Sequence, residues 1–362
     1  MNIPNQEIIY TLIAFCVSLV FSIIGTPFII AMCKKKGYYD MPDSRKVHKF
    51  AIPRLGGVLF LPSMCIGTVI ALITIFRGLQ HEITLTLSVI AMAAGGIIIY
   101  LIGILDDLKG MKAMHKFIIQ FIVSSFFPLC NLMINDLHGL FGFHIIPLFM
   151  AYPLTVFVIL LIVNAMNLID GIDGLASSLS ILILMAFGLL YYDLGASLFS
   201  MMSISLAGAV FGFFLFNFFG KINGNKIFMG DSGSLFLGYV ISYLAIKYQM
   251  SNWDVFEYRE NSFLISFTLI MLPCFDVIRV AIGRKMRGKK MFDPDKTHIH
   301  HIIMATGLTM HQTLFVIICT FIAFCIINYG LFIFGLGITY IIAVDIILYL
   351  LLTYFTITMN SD

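Results

Sequence analysis

Apolar residues in this chain do not alternate with polar ones. They gather into long runs that lack the one-sided periodicity of a helix facing water. Eleven stretches approach the ~20 apolar residues that an α-helix needs to cross a bilayer: 8–32, 55–76, 83–104, 117–134, 148–166, 175–192, 197–218, 227–247, 262–283, 312–330 and 333–356. The fifth is entered through His144, Pro147 and Pro153, and segment 135–146 reads as an irregular or hairpin connection. The first run is too long for a signal peptide and ends without a small-residue cleavage site, so it reads as a permanent span. The pattern predicts an all-α polytopic integral membrane protein with about 11 transmembrane helices, organised as one domain over residues 1–362.

Composition reinforces the pattern. Hydrophobic residues make up 60% of the chain and charged ones 11%, against about 25% charged in soluble domains. Lipid must therefore solvate much of the surface. The apolar excess runs from end to end, which leaves no room for a separate soluble domain. The seven cysteines are scattered through apolar runs with no CxxC pair, and read as small buried hydrophobes.

Charge sets the expected orientation. All of the 22 lysines and arginines except Arg77, Lys247 and Arg259 fall at one set of alternate helix ends, which the positive-inside rule assigns to the cytoplasm. The N-terminus then lies outside, the C-terminus inside, and the protein sits as a multi-pass chain in the plasma (inner) membrane. The two long inner loops, 33–54 and 284–311, are basic, as contact with anionic membrane lipids or with an anionic substrate would require.

Four polar clusters share that inner side. Asp106 and Asp107 end the third run. They are either a solvated boundary neutralised by Lys109 or a site for a metal, a cation or a proton. Asn164, Asn167, Asp170 and Asp173 recur at spacing three with Gly171 and Gly174 beside them. Capping would explain one of these residues but not four. Asp231, in Lys226-Ile-Phe-Met-Gly-Asp-Ser-Gly-Ser234, is either a helix N-cap or a hard oxygen ligand for Mg²⁺, with glycines that let phosphates approach the backbone. His298, His300 and His301 lack the companions of a zinc site and suit phosphate hydrogen bonds. Asp276 and Arg279 can pair at i, i+3 within a span, Gln120 suits a helix–helix contact, and Asp345 has no assigned role. Carboxylates, basic loops and glycines on one membrane face point to phosphoryl chemistry.

In order from about residue 34 to 301, these motifs resemble those of the polyprenyl-phosphate N-acetylhexosamine-1-phosphate transferases. The resemblance rests on the paired aspartates, the NxxNxxDGxDGLA segment, the FMGDxGS segment and the HxHH loop. Pro53-Arg-Leu-Gly-Gly57 and His298-Ile-His-His301 are closer to the WecA/TagO branch than to the lipid I branch. The resemblance implies transfer of a HexNAc 1-phosphate, most often GlcNAc 1-phosphate, from a UDP-sugar to undecaprenyl phosphate. UMP is released, in the first membrane step of a cell-envelope polysaccharide. It implies Mg²⁺, with Mn²⁺ as an alternative, on Asp231 and Asn167. Phe228 would stack on uracil, with Asn164, Lys46 and Lys49 also on the ligands. Asp106 and Asp107 would face the lipid phosphate and the metal, Asp170 and Asp173 the nucleotide, and the three histidines the diphosphate. Expected partners are undecaprenyl phosphate, the UDP-N-acetylhexosamine, membrane lipids and a second copy of the chain, but no nucleic acid. A phospho-N-acetylmuramoyl-pentapeptide transferase is the alternative within the class, and a secondary transporter the alternative outside it.

Overall fold

The computed structural model describes residues 3–41, 50–78, 86–222, 224–250, 257–289 and 296–359. Helix covers the greater part of each of the eleven apolar runs. The helices are α1 (Ile3–Lys36), α2 (Phe60–Gly78, entered through a 3-10 turn at Gly56–Leu59), α3 (Leu87–Lys109), α4 (Ala113–Ser124), α5 (Phe126–Leu129), α6 (Leu148–Leu168), α7 (Leu175–Asp193), α8 (Ser197–Phe218), α9 (Asp231–Gln249), α10 (Ser262–Met286), α11 (Ile299–Ala305), α12 (Met310–Ile333) and α13 (Ile338–Thr358). Among the described residues, nine helices are long and apolar enough to span a membrane. The chain is an all-α polytopic membrane protein.

Two of the expected spans fall outside that nine, for different physical reasons. The run 117–134 is interrupted at Ser125, so that α4 and α5 together form one short apolar helical segment, Ala113–Leu129. Helix α9 has too many polar residues to face lipid and does not do so: every residue from Ser232 to Gln249 is buried. It is the central post of the molecule, packed against α3, α6, α7 and α10. Strands β1 (Tyr39–Asp40) and β2 (Ile52–Pro53) pair antiparallel, and segment 135–146 holds an antiparallel hairpin of β3 (Asp136–Leu140) and β4 (Phe143–Ile145), whose Phe141 N–H donates to Thr339 Oγ1 at the start of α13 (2.7 Å).

Small residues allow close approach around the post. Gly95, Gly103 and Asp107 lie on one ridge of α3. A Cβ on Gly103 would stand 2.5 Å from Ser232 Cα, and one on Gly95 2.0 Å from the Tyr239 hydroxyl. On the other side, a Cβ on Gly57 would stand 2.1 Å from Gly233 Cα. Such small-residue contacts are how helices associate where lipid supplies no hydrophobic drive. Asp345, fully buried in α13, accepts from Asn328 Nδ2 (2.9 Å), which also donates to Thr268 Oγ1 (2.8 Å). This polar knot joins α13, α12 and α10 and gives Asp345 a packing role.

Candidate active site

One end of the bundle, where α1, α3, α6 and α8 finish and α2, α7, α9 and α12 begin, holds a cavity of about 1130 Å³. Its wall includes Asp40, Arg54, Asp107, Asn167, Asp170, Asp173, Asn217, Lys221, Lys226, Phe228, Asp231, Ser234, His301 and His311. The site is therefore built from helix ends, which is where unsatisfied backbone groups and irregular turns are available.

The N-terminus of α9 is capped from another helix. Gly230, with φ 75°, leads into α9 and has no side chain to offer the first backbone N–H groups. Asp107 supplies the oxygens instead: Oδ1 accepts from Asp231 N (2.9 Å) and Oδ2 from Ser232 N (3.0 Å). A carboxylate at a helix N-terminus is favourable on both hydrogen-bond and dipole grounds. Gly230 is required for the approach, because a Cβ there would stand 2.5 Å from Asp107 Oδ2. Asp231 is consequently not the N-cap, and its side chain points into the cavity wall.

Lys116, one turn into α4, ties the aspartates together. Its Nζ donates to Asp106 Oδ2 (2.9 Å) and to Asp231 Oδ2 (2.7 Å). Asp106 Oδ1 also accepts from Met111 N (2.5 Å). Asp106 thus sits behind the cavity wall, held by Lys116 and by the turn that follows α3. Asn167 Nδ2 donates to Asp231 Oδ1 (3.1 Å) and Ser234 Oγ (2.8 Å). Asn164 lies one turn deeper on α6 and does not reach the cavity, since its Nδ2 donates to Gln120 Oε1 (3.0 Å) across to α4.

The turn after α6 brings Asp170 and Asp173 to the wall. Asn217 staples it: its Oδ1 accepts from Gly174 N (2.7 Å) while its Nδ2 donates to Ile227 O (2.9 Å). Gly174 has φ 81°, a conformation that glycine adopts without strain. Asp173 pairs with Lys226 Nζ (2.5 Å). Asp170 has no such cation among its perturbing neighbours. Burial, then the negative charges of Asp173, Asp231, Asp107 and Asp40, push its pKa up to about 7. Phe228 is fixed by backbone pairing with the Pro-Arg-Leu-Gly-Gly turn: its N–H donates to Pro53 O (2.8 Å) and its carbonyl accepts from Gly56 N (2.9 Å).

The three histidines do three different things. His298 Nδ1 bonds Asp276 Oδ2 (2.7 Å) away from the cavity. His300 is buried against Gly171, where a Cβ would stand 2.1 Å from its Nε2. Burial and the neighbouring His301 push its pKa down to about 3. His301 alone of the three lines the cavity. Lys46 and Lys49 lie outside the described residues.

Sequence reading missed several of the groups gathered here. Lys116, Lys221 and Lys226 were only charges for orientation, and Asn217 and His311 stood in no motif. Asn217 gave one signal, an amide in the last turn of an apolar helix. The remaining question is whether the wall suits a divalent cation. Among the described residues, no three His, Cys, Asp or Glu side chains converge as a complete metal set. Hard oxygen donors are nevertheless concentrated here, and burial, followed by the charges of four neighbouring carboxylates, raises the pKa of Asp170. Mg²⁺ typically takes one or two carboxylates and completes its shell with waters and substrate phosphates, so the residues fit.

Comparison with known proteins is consistent with this geometry. The sequence profile of glycosyl transferase family 4 matches residues 89–249. The chain is 36% identical over 314 residues to a probable undecaprenyl-phosphate N-acetylglucosaminyl 1-phosphate transferase of Bacillus subtilis (strain 168), covering 86% of this chain and 82% of that protein. It is 27% identical to the undecaprenyl-phosphate alpha-N-acetylglucosaminyl 1-phosphate transferase of Yersinia pestis, covering 85% and 79%. With the protein of the same description from Escherichia coli (strain K12), identity is 26%, over 79% and 74% of the two chains.

Proposed function

The chain belongs to glycosyl transferase family 4, and from that premise we propose that it transfers a HexNAc 1-phosphate, GlcNAc 1-phosphate first among them, from a UDP-sugar to undecaprenyl phosphate with release of UMP. The observation that carries the reading is the cavity itself. It sets Asp170, Asp173 and Asp231 beside Arg54, Lys221 and Lys226 and an aromatic ring, Phe228. A nucleotide diphosphate needs that combination, and the cavity lies where whole spanning helices end, whereas a transporter's substrate site lies near the bilayer midplane.

The lipid phosphate oxygen attacks the sugar-bearing phosphorus, a P–O bond forms, and the bond to the bridging oxygen breaks as UMP leaves with the electron pair. With a second pKa near 6, the lipid phosphate is already largely ionised at neutral pH, so a general base gains little. Asp106, anchored by Lys116 and Met111 N, is suited to positioning. Arg54, Lys221 and Lys226 draw the phosphates together against their mutual repulsion, and Phe228 stacks on uracil. A divalent cation, Mg²⁺ or Mn²⁺, would be held by Asp231 and by the amide oxygen of Asn167, and supplies further charge neutralisation at the diphosphate. The basic helix ends support a cytoplasmic location for this face in the plasma membrane, and the reaction would begin assembly of a cell-envelope polysaccharide.

The test is direct. Purified protein with undecaprenyl phosphate and a panel of UDP-sugars should release UMP with one of them. Chelation should abolish turnover, and Asp231→Ala should lower kcat by about a hundredfold or more. Release of UDP instead would mean glycosyl transfer and would overturn the reading.

A further inference from the structure

Asp276 is 1% exposed and belongs to neither the cavity wall nor any motif around it. Its carboxylate nevertheless bonds four groups. Oδ2 bonds His298 Nδ1 (2.7 Å). Oδ1 accepts from Ile299 N (2.9 Å), Arg279 Nη2 (2.7 Å) and the Tyr349 hydroxyl (3.2 Å). Arg279 Nη2 also donates to Thr297 O (2.6 Å). One buried carboxylate from a spanning helix thus holds the first residues of α11 and is itself held by α10 and α13. Its action on α11 parallels that of Asp107 on α9: both are helix N-termini capped in trans.

The consequence lies two residues further on. His301 N donates to His298 O (2.9 Å), so fixing His298 fixes the first turn of α11 and the direction in which His301 leaves it. On the opposite side of that turn, His300 is 2% exposed and lies against Gly171 in the Asp170–Asp173 turn. Its low pKa keeps it neutral at physiological pH, so it fills space there without carrying charge. With the Asp276 carboxylate accepting, the His298 ring carries a proton on Nδ1.

We propose that Asp276 is the positioning residue of the histidine arm: it acts through His298 Nδ1–H and Ile299 N–H to seat α11, so that His301 meets the substrate while His298 serves as a strut. The proposal rests on the transferase reading for its substrate but not for its geometry, and the experiment separates the two.

His298→Asn places an amide N–H close to the position of Nδ1–H, and His298→Gln places it near Nε2. If His298 is a strut, the Asn variant keeps kcat for UMP release within about tenfold of wild type. The Gln variant loses about a hundredfold, the scale of a misplaced group near the chemistry. Asp276→Asn can keep its oxygen on Ile299 N but turns an amide N–H toward His298 Nδ1, and should show an intermediate loss in kcat with little change in KM. Diethyl pyrocarbonate labelling read by peptide mass spectrometry requires no turnover. His300 should be protected in wild type and His298→Asn, and should become reactive in His298→Gln and Asp276→Ala. Equal inactivation of the Asn and Gln variants with His300 still protected would overturn the proposal and put His298 itself on the substrate. If wild type releases UMP from no UDP-sugar, the transferase reading fails while the labelling result still decides the strut.

Discussion

At the scale of single residues, the cavity is defined by where its negative charge goes uncompensated. Asp173 has Lys226 and Asp231 has Lys116, whereas Asp170 meets burial and four other carboxylates that push its pKa up to about 7. The folded state therefore holds the Asp170 proton more tightly than the unfolded chain, in which an aspartate titrates near 4. The associated stability is fully present below pH ~4 and is lost as pH rises through about 7. Without added divalent cation, the detergent-solubilised protein should melt several degrees lower at pH 8 than at pH 5.5. Asp170→Asn should flatten that difference, and millimolar Mg²⁺ should restore much of it to wild type at pH 8. A melting temperature of the variant that tracks wild type across this range would remove Asp170 as the origin. The aspartates were legible from sequence as a group, because four polar residues at the end of an apolar run demand an explanation. Their separate environments were not, since the cations that distinguish them come from α4 and from the segment before α9.

At the scale of elements, the start of α9 is the point on which the site depends, and four glycines permit its placement. Gly57 meets Gly233, Gly103 meets Ser232, and Gly230 admits Asp107. Adding one methyl at Gly57 puts a carbon 2.1 Å from backbone rather than from a yielding side chain, so the helix must shift. Overpacking of this kind costs about 1–3 kcal/mol. Gly57→Ala should therefore lower both the melting temperature and kcat, because the same shift moves Asp231. Gly330→Ala is the matched control: nothing lies within 4 Å of a Cβ there, so stability should hold or rise slightly. Apolar length is a local property, and it marks nine of the eleven expected spans among the described residues. It faltered at α4–α5 and α9, where interruption at Ser125 and complete burial replace lipid contact as the deciding condition. The cap on α9 could not be read, because Asp107 and Asp231 are 124 positions apart.

At the scale of the whole molecule, orientation decides whether the cavity can meet its substrates. Arg54, Lys221 and Lys226 line the cavity, and Lys34 Nζ donates to Gly224 O (2.6 Å) close to it. The basic end and the cavity end are thus the same end. The β3–β4 hairpin, with its exposed His144, belongs with the beginning of α6, whose other end carries Asn167. A helix of 21 residues spans about 30 Å at 1.5 Å per residue, so the hairpin and the cavity belong on opposite sides of the bilayer. In the orientation proposed from the positive-inside rule, the hairpin faces outward and the cavity faces the cytoplasm. In a cysteine-depleted background, His144→Cys should react with a membrane-impermeant maleimide on intact cells. Lys289→Cys, exposed beyond the end of α10, should react only after permeabilisation. The reverse pattern would turn the molecule over and separate its cavity from any UDP-sugar. Labelling of both cysteines from one side would break the link between hairpin and cavity that the length of α6 requires.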